Sequence, residues 1–271
     1  MWRSGASLAF PPMQVGLIGA GNMARALARG WGEPVLCSDS GSGRAHALVE
    51  ELGGEALSNR EVADRADLLV LCHKPYQLTQ VAAEIAESAK PVVSVLGGTT
   101  TAKVQYAYPT APVFTLMPNT PVEVRRGVIV YAQRDPDPSF VLDPAVESQV
   151  LELFGRLGTV VTVPERLLEA AAAVSSLGPA YQALLAEAQI DAAVRHGIGA
   201  PMASRLVVET IAGATELLAH RGYDTLAVRR EVTSPGGSTA RGLNALERAG
   251  IRSAFQDAID AVLRAPGQDA R

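Results

Sequence analysis

The pattern of apolar positions divides the chain into two stretches of different character. Up to Val163, short apolar runs alternate with longer segments of helical spacing; from Pro164 onward only helical spacing remains. The apolar runs fall at 15–18, 34–38, 67–72, 91–96, 112–116, 127–131 and 159–163, each of strand length. The run Asp67-Leu-Leu-Val-Leu-Cys72 is apolar throughout, as in strands buried on both faces of a parallel sheet. Helices are predicted from Ala24 to Gly30, around 43–52, after Pro75, behind a cap at Thr99 or Thr100, and from about Pro144 to Arg156. Such alternation predicts an α/β fold with a doubly wound, mostly parallel sheet over residues 13–163.

Residues 164–271 predict an all-helical domain, with helices at 165–175, 179–196, 201–220, 225–231, 239–249 and 253–263. Two of these carry Leu184, Leu185, Ala188 and Ile190, and Leu206, Val207, Val208, Ile211, Leu217 and Leu218. They are apolar beyond a single stripe, so they need cover on most sides. About a hundred residues supply too little of it, and a homodimer or larger ring through this half is expected.

The chemistry begins where the first strand meets the first helix. Gly19-Ala20-Gly21-Asn22-Met23-Ala24 is a Gly-x-Gly-x-x-Ala turn, the Rossmann-type signature of a dinucleotide site. Gly19 permits the tight reversal, Gly21 lets the backbone approach a pyrophosphate, and Ala24 lets helix and strand pack closely. The pyrophosphate would rest on the free amides at Asn22 and Met23. Asp39 ends the second strand, where a carboxylate can accept bonds from the adenosine ribose and favour NADH. Arg44 stands close enough to hold a 2′-phosphate instead, and Asp39 can also serve only as a helix cap. Lys74 and Pro75 follow a strand at the edge where open α/β sheets bind ligands; Lys74 can reach cofactor phosphate or ribose and Pro75 starts a helix. His73 reads as a polar edge residue. Prolines 118 and 121 bracket Asn119, which predicts a rigid turn offering its amide beside the nicotinamide. In the second half, Thr233-Ser234-Pro235-Gly236-Gly237-Ser238-Thr239 joins hydroxyls, two glycines and a helix start into an anion pocket suited to a substrate carboxylate.

Composition narrows the picture further. Among 271 residues, 48% are hydrophobic and the net charge is −4, with no basic block, so nucleic acid is an unexpected partner. No apolar run reaches membrane-spanning length. Cys37 and Cys72 lie inside apolar runs and read as buried free thiols in a reducing compartment, which predicts a cytoplasmic protein. Residues 1–12 are expected to be a disordered leader, with Met13 as the natural start. The four histidines, 46, 73, 196 and 220, fall at unrelated points and no carboxylate cluster occurs.

Taken together, Gly19-Ala-Gly-Asn-Met23, Lys74-Pro75, Met117-Pro-Asn-Thr-Pro121, Gly178-Pro-Ala-Tyr181, and Thr233-Ser-Pro-Gly-Gly-Ser-Thr239 with Gly242-Leu-Asn-Ala-Leu-Glu247 resemble the pyrroline-5-carboxylate reductase family. The resemblance runs from about Gln14 to Leu263. It implies NADPH- or NADH-dependent reduction of a cyclic imine carboxylate to L-proline. It also implies carboxylate capture by Ser234, Pro235, Gly236, Gly237 and Ser238, and a Thr239 hydroxyl on the ring nitrogen. The family's subunits form dimers or rings of dimers, with the active site built between the cofactor domain of one subunit and the helices of its neighbour. Three positions depart from the family pattern: Ser175-Ser176-Leu177 before Gly178, the absence of a His-Pro pair near Asp224-Thr225, and Asp39. A related imine reductase acting on another ring, and a non-catalytic dinucleotide-sensing module, are the alternative functions. The β-hydroxyacid dehydrogenases, which place a catalytic lysine in the helical half, are disfavoured because the lysines here are 74, 90 and 103.

Overall fold

A computed structural model describes residues 13–134 and 142–264. The expected leader, residues 1–12, lies outside them. The chain forms two compact units, Met1–Leu177 and Gly178–Arg271.

The first unit is built on an eight-stranded sheet in the order β3-β2-β1-β4-β5-β6-β7-β8. Its strands are β1 (Val15–Ile18), β2 (Val35–Ser38), β3 (Gly54–Ala56), β4 (Leu68–Leu71), β5 (Val92–Ser94), β6 (Val113–Pro118), β7 (Gly127–Gln133) and β8 (Gly158–Pro164). Neighbours pair in parallel except β6 with β7. The helices are α1 (Asn22–Trp31), α2 (Arg44–Leu52), α3 (Asn59–Arg65), α4 (Leu78–Ile85), α5 (Thr101–Ala107), α6 (Pro144–Gly155) and α7 (Leu168–Ser175). Successive strand residues point to opposite faces, so a buried strand feeds two cores. In β4, Leu68 and Val70 join Leu17, Leu27, Trp31, Phe114 and Phe154 on one face, while Leu69 and Leu71 join Ile18, Val62, Leu78, Ile85 and Tyr108 on the other.

Several elements differ from expectation for local reasons. β3 and α3 are additional. β3 is a three-residue edge strand whose Gly-Glu-Ala sequence carries no apolar alternation. α3 begins in a capping box: Ser58 N–H donates to Glu61 Oε2 at 2.9 Å and Glu61 N–H to Ser58 Oγ at 3.3 Å. That Ser-x-x-Glu spacing was the available signal. Thr100, rather than Thr99, caps α5 by accepting from Lys103 N–H at 3.2 Å. Pro75 opens a single 3-10 turn, Pro75–Gln77, ahead of α4. Met117 and Pro118, expected in a turn, finish β6, and the turn begins only at Asn119. The unit division falls after α7 rather than after β8, because Leu168 packs with Met117, Val130 and Ala132 of the sheet.

The second unit consists of α8 (Gly178–Arg195), α9 (Ala200–His220), α10 (Thr225–Glu231), α11 (Ser238–Arg248) and α12 (Ile251–Leu263). Of its described residues, Ala203 alone is buried within the single chain. Leu184, Met202, Leu206 and Val208 stay 65%, 64%, 53% and 56% exposed. Helices with this much uncovered apolar surface gain little from burial against conformational entropy until another surface covers them. Among the described residues, no helix is long and apolar enough to cross a membrane.

Candidate active site

In the first unit, the carboxyl ends of β1, β2 and β4 open onto a cleft of about 480 Å³ lined by Gly19, Gly21, Asp39, Arg44, Asn59 and Lys74. The two glycines of the turn are there for different reasons. Gly19 has φ +104°, and a Cβ on it would lie 2.9 Å from His73 N and 3.0 Å from Cys72 O, so the fold itself demands glycine. Gly21 has φ −71°, and its nearest neighbour to an added Cβ is Cys72 O at 3.9 Å. Folding alone therefore leaves alanine possible at 21. Gly21 caps α1 with no side-chain bond, and no acidic residue sits in the first turn, leaving the amides of Asn22 and Met23 and the helix dipole open to an anion. These features fit the pyrophosphate of a dinucleotide. Met23 also packs partly against the core, and Asn22 Oδ1 accepts from Arg25 at 2.8 Å.

Around this turn, the expected partners have mixed positions. Lys74 is exposed and lines the cleft; its amide donates to Gln77 Oε1 at 3.0 Å, and Pro75 behind it fixes the turn. His73 Nδ1 lies 2.9 Å from Lys74 O, a carbonyl that can only accept, so the proton sits on Nδ1. Burial lowers its pKa although the Lys74 carbonyl opposes this, and the ring stays neutral near pH 7. Asn59, which sequence reasoning missed, reaches the cleft from the start of α3. Its Oδ1 accepts from Ser38 Oγ at 2.7 Å and its Nδ2 donates to Glu84 at 2.7 Å.

Asp39 does not present a free carboxylate. Its Oδ1 accepts from Gly41 N–H at 2.8 Å, and its Oδ2 from Ser42 Oγ at 3.0 Å and Ala45 N–H at 3.0 Å. Of the two sequence-based alternatives, the geometry favours the capping role. Burial works against its ionisation, but the bonds from Ala45, Gly41, Ser42 and Arg44 outweigh it and hold the pKa below the ordinary carboxylate value.

Asn119, expected beside the nicotinamide, is instead bonded within the protein. It is 7% exposed, its Nδ2 donates to Ser175 O at 3.0 Å, and its Oδ1 accepts from Val128 N–H at 2.8 Å. The amide thus ties the end of β6 to β7 and to the last turn of α7. Asn119→Ala orphans a buried donor and a buried acceptor, and a loss of about 2–4 kcal/mol is expected. Thermal unfolding checks this, and an unchanged Tm would contradict it. Close to this strand end, Gly97, Gly98, Thr99, Thr100, Met117 and Leu168 line a second cavity of about 490 Å³.

In the second unit, the hydroxyl-glycine segment forms a tight turn into α11. Gly236 has φ +71°, so the turn requires glycine there, whereas at Gly237 (φ −70°) an added Cβ would meet the movable Ser234 Oγ at 2.4 Å and the Ser234 carbonyl at 3.1 Å. Gly237 N–H donates to Ser234 O at 3.0 Å, and Thr233 Oγ to Arg229 O at 2.6 Å. α11 has no side-chain cap and no acidic residue in its first turn. Ser234, Ser238 and Thr239 are exposed, and their hydroxyls have no hydrogen-bond partner among the described residues. A bare helix start flanked by three free hydroxyls suits a small carboxylate bearing a second polar group. Among the described residues, no three His, Cys, Asp or Glu side chains are grouped to hold a metal ion.

Residues 165–267 match the family described as pyrroline-5-carboxylate reductase dimerisation, and residues 14–98 the family described as NADP oxidoreductase coenzyme F420-dependent. The chain is 33% identical over 262 residues to the pyrroline-5-carboxylate reductase of Synechocystis sp., covering 93% of this chain and 96% of the relative. It is 31% identical to that of Thermus thermophilus, covering 93% of this chain and 97% of the relative. Among solved structures, Plasmodium falciparum pyrroline carboxylate reductase with NADP bound aligns with a TM-score of 0.80 at 26% identity, over 92% of this chain and 95% of that one.

Proposed function

We propose, for a chain that belongs to the pyrroline-5-carboxylate reductase family, that it reduces the carbon–nitrogen double bond of 1-pyrroline-5-carboxylate with NAD(P)H to give L-proline, the last step of proline biosynthesis. The single observation that carries this reading is the turn at 234–239, whose free hydroxyls stand at a bare helix start in a chain that also has a cofactor cleft. A cyclic imine with a carboxylate on the adjoining ring carbon offers two handles. The α11 amides and the hydroxyls of Ser234 and Ser238 take the carboxylate, and the Thr239 hydroxyl takes the ring nitrogen. A protonated imine is already electrophilic, so the protein needs no nucleophile; it needs a fixed orientation. The bound cofactor supplies the hydride, and the first unit binds it through the Gly19–Met23 turn and Lys74.

The assay that tests the reading follows NADH and NADPH absorbance separately with 1-pyrroline-5-carboxylate and with its six-membered homologue. Turnover with the five-membered ring is expected to dominate. Preference for the larger ring would support the related imine reductase, and nucleotide binding without turnover would support a sensing module.

The protein is a homo-oligomer through its helical unit, and a ring of dimers is the assembly we favour. Leu206→Glu places a charge on the uncovered face of α9, where Leu206 is 53% exposed in the isolated chain. A shift to monomer in light scattering is expected, and an unchanged particle mass would remove this face from the interface. Cys37 and Cys72 are free thiols, in keeping with a cytoplasmic location.

A further inference from the structure

We propose that Asp39 is a positioning residue that shapes the 40–44 turn into a receiver for the 2′-phosphate, so that the reductase selects NADPH although an acidic residue follows β2. The proposal rests on the cleft being the NAD(P)H site. A carboxylate that selects NADH must keep acceptor sites free for the ribose hydroxyls, and it has about four in total. Gly41, Ser42 and Ala45 place three donors on Asp39 at 2.8–3.0 Å. Its own loop thus takes most of the carboxylate's acceptor sites.

The same bonds decide what the loop offers outward. Gly41 at φ +88° and Gly43 at φ +76° wrap the backbone around the carboxylate. Each has nothing within 4 Å of an added Cβ, so the left-handed turn, rather than crowding, requires glycine there. Ser40, Ser42 and Arg44 line the cleft on this turn. The Ser40 hydroxyl makes no hydrogen bond, and Arg44 is exposed with no ion pair, among the described residues. The first turn of α2, which starts at Arg44, carries no acidic residue, and its Ala45 N–H is already held by Asp39. A guanidinium and a free hydroxyl therefore line the same side of the cleft, a donor set suited to a phosphate dianion. Asp39 holds that set in place, and its own charge is met by three donors.

Calorimetric titration of adenosine 2′,5′-bisphosphate and of 5′-AMP into the wild type, Asp39→Asn and Arg44→Ala tests this without turnover. The wild type is expected to bind the bisphosphate at least roughly tenfold more tightly than AMP. Arg44→Ala should erase most of that ratio while leaving AMP affinity unchanged, and Asp39→Asn should lower the ratio by loosening the turn. Tighter bisphosphate binding by Asp39→Asn would overturn the inference, since it would make Asp39 a repelling selector. An equal loss for both nucleotides would also overturn it, leaving Asp39 merely structural. A wild type that prefers AMP overturns it while keeping the cleft as a nucleotide site; a wild type that binds neither overturns both.

Discussion

Gly21→Ala is expected to weaken NAD(P)H binding by about 30- to 100-fold, roughly 2–3 kcal/mol, while leaving the Tm unchanged. The added Cβ meets no protein atom closer than 3.9 Å and the backbone at φ −71° accepts it, so the folded protein has no reason to object. The new methyl stands where the pyrophosphate must approach the α1 amides. Gly19→Ala should behave in the opposite order. At φ +104°, with His73 N 2.9 Å from the new atom, it strains the fold; a loss of about 2–4 kcal/mol is expected, with weak binding as a consequence. Denaturation and nucleotide titration of the two variants separate these outcomes. If both variants unfold early, or both keep full affinity, the distinction between the two glycines is wrong.

Thr239→Ala should lower kcat by about 10²- to 10³-fold with nucleotide affinity and Tm unaltered. The Thr239 hydroxyl is exposed and bonds nothing among the described residues, so its removal costs the fold little. Its proposed partner is the ring nitrogen, whose hydrogen bonding changes as the hydride arrives at the neighbouring carbon. Thr239→Ser retains the oxygen and should keep most of the rate. Turnover near that of the wild type in Thr239→Ala would remove this residue from the chemistry.

Much of the first unit was legible because a strand buried on both faces leaves a continuous apolar run. Leu68–Leu71 shows this with all four residues buried. β3 escaped notice because an exposed three-residue edge needs no such run. α7 has the spacing of the helices that follow it, and nothing in that spacing tells that Leu168 packs on the sheet. The glycine turn was legible because only glycine answers the demands at 19 and 21. Asp39 and Asn119 were harder for a common physical reason. Both are short polar side chains that bond nearby backbone as readily as a ligand, and sequence reports the side chain without its partners. Asn59 was hidden inside a helix start whose capping box had gone unread.

The most direct test of the central claim is isotope transfer. NADPH carrying deuterium at the transferable C4 position is incubated with the protein and 1-pyrroline-5-carboxylate, and the product is analysed by mass spectrometry and NMR. Proline with a single deuterium at C5, formed in step with cofactor oxidation, is the result expected. Cofactor oxidation without deuterated proline, or no oxidation by either nucleotide, would contradict a hydride passing from this cleft to the imine carbon.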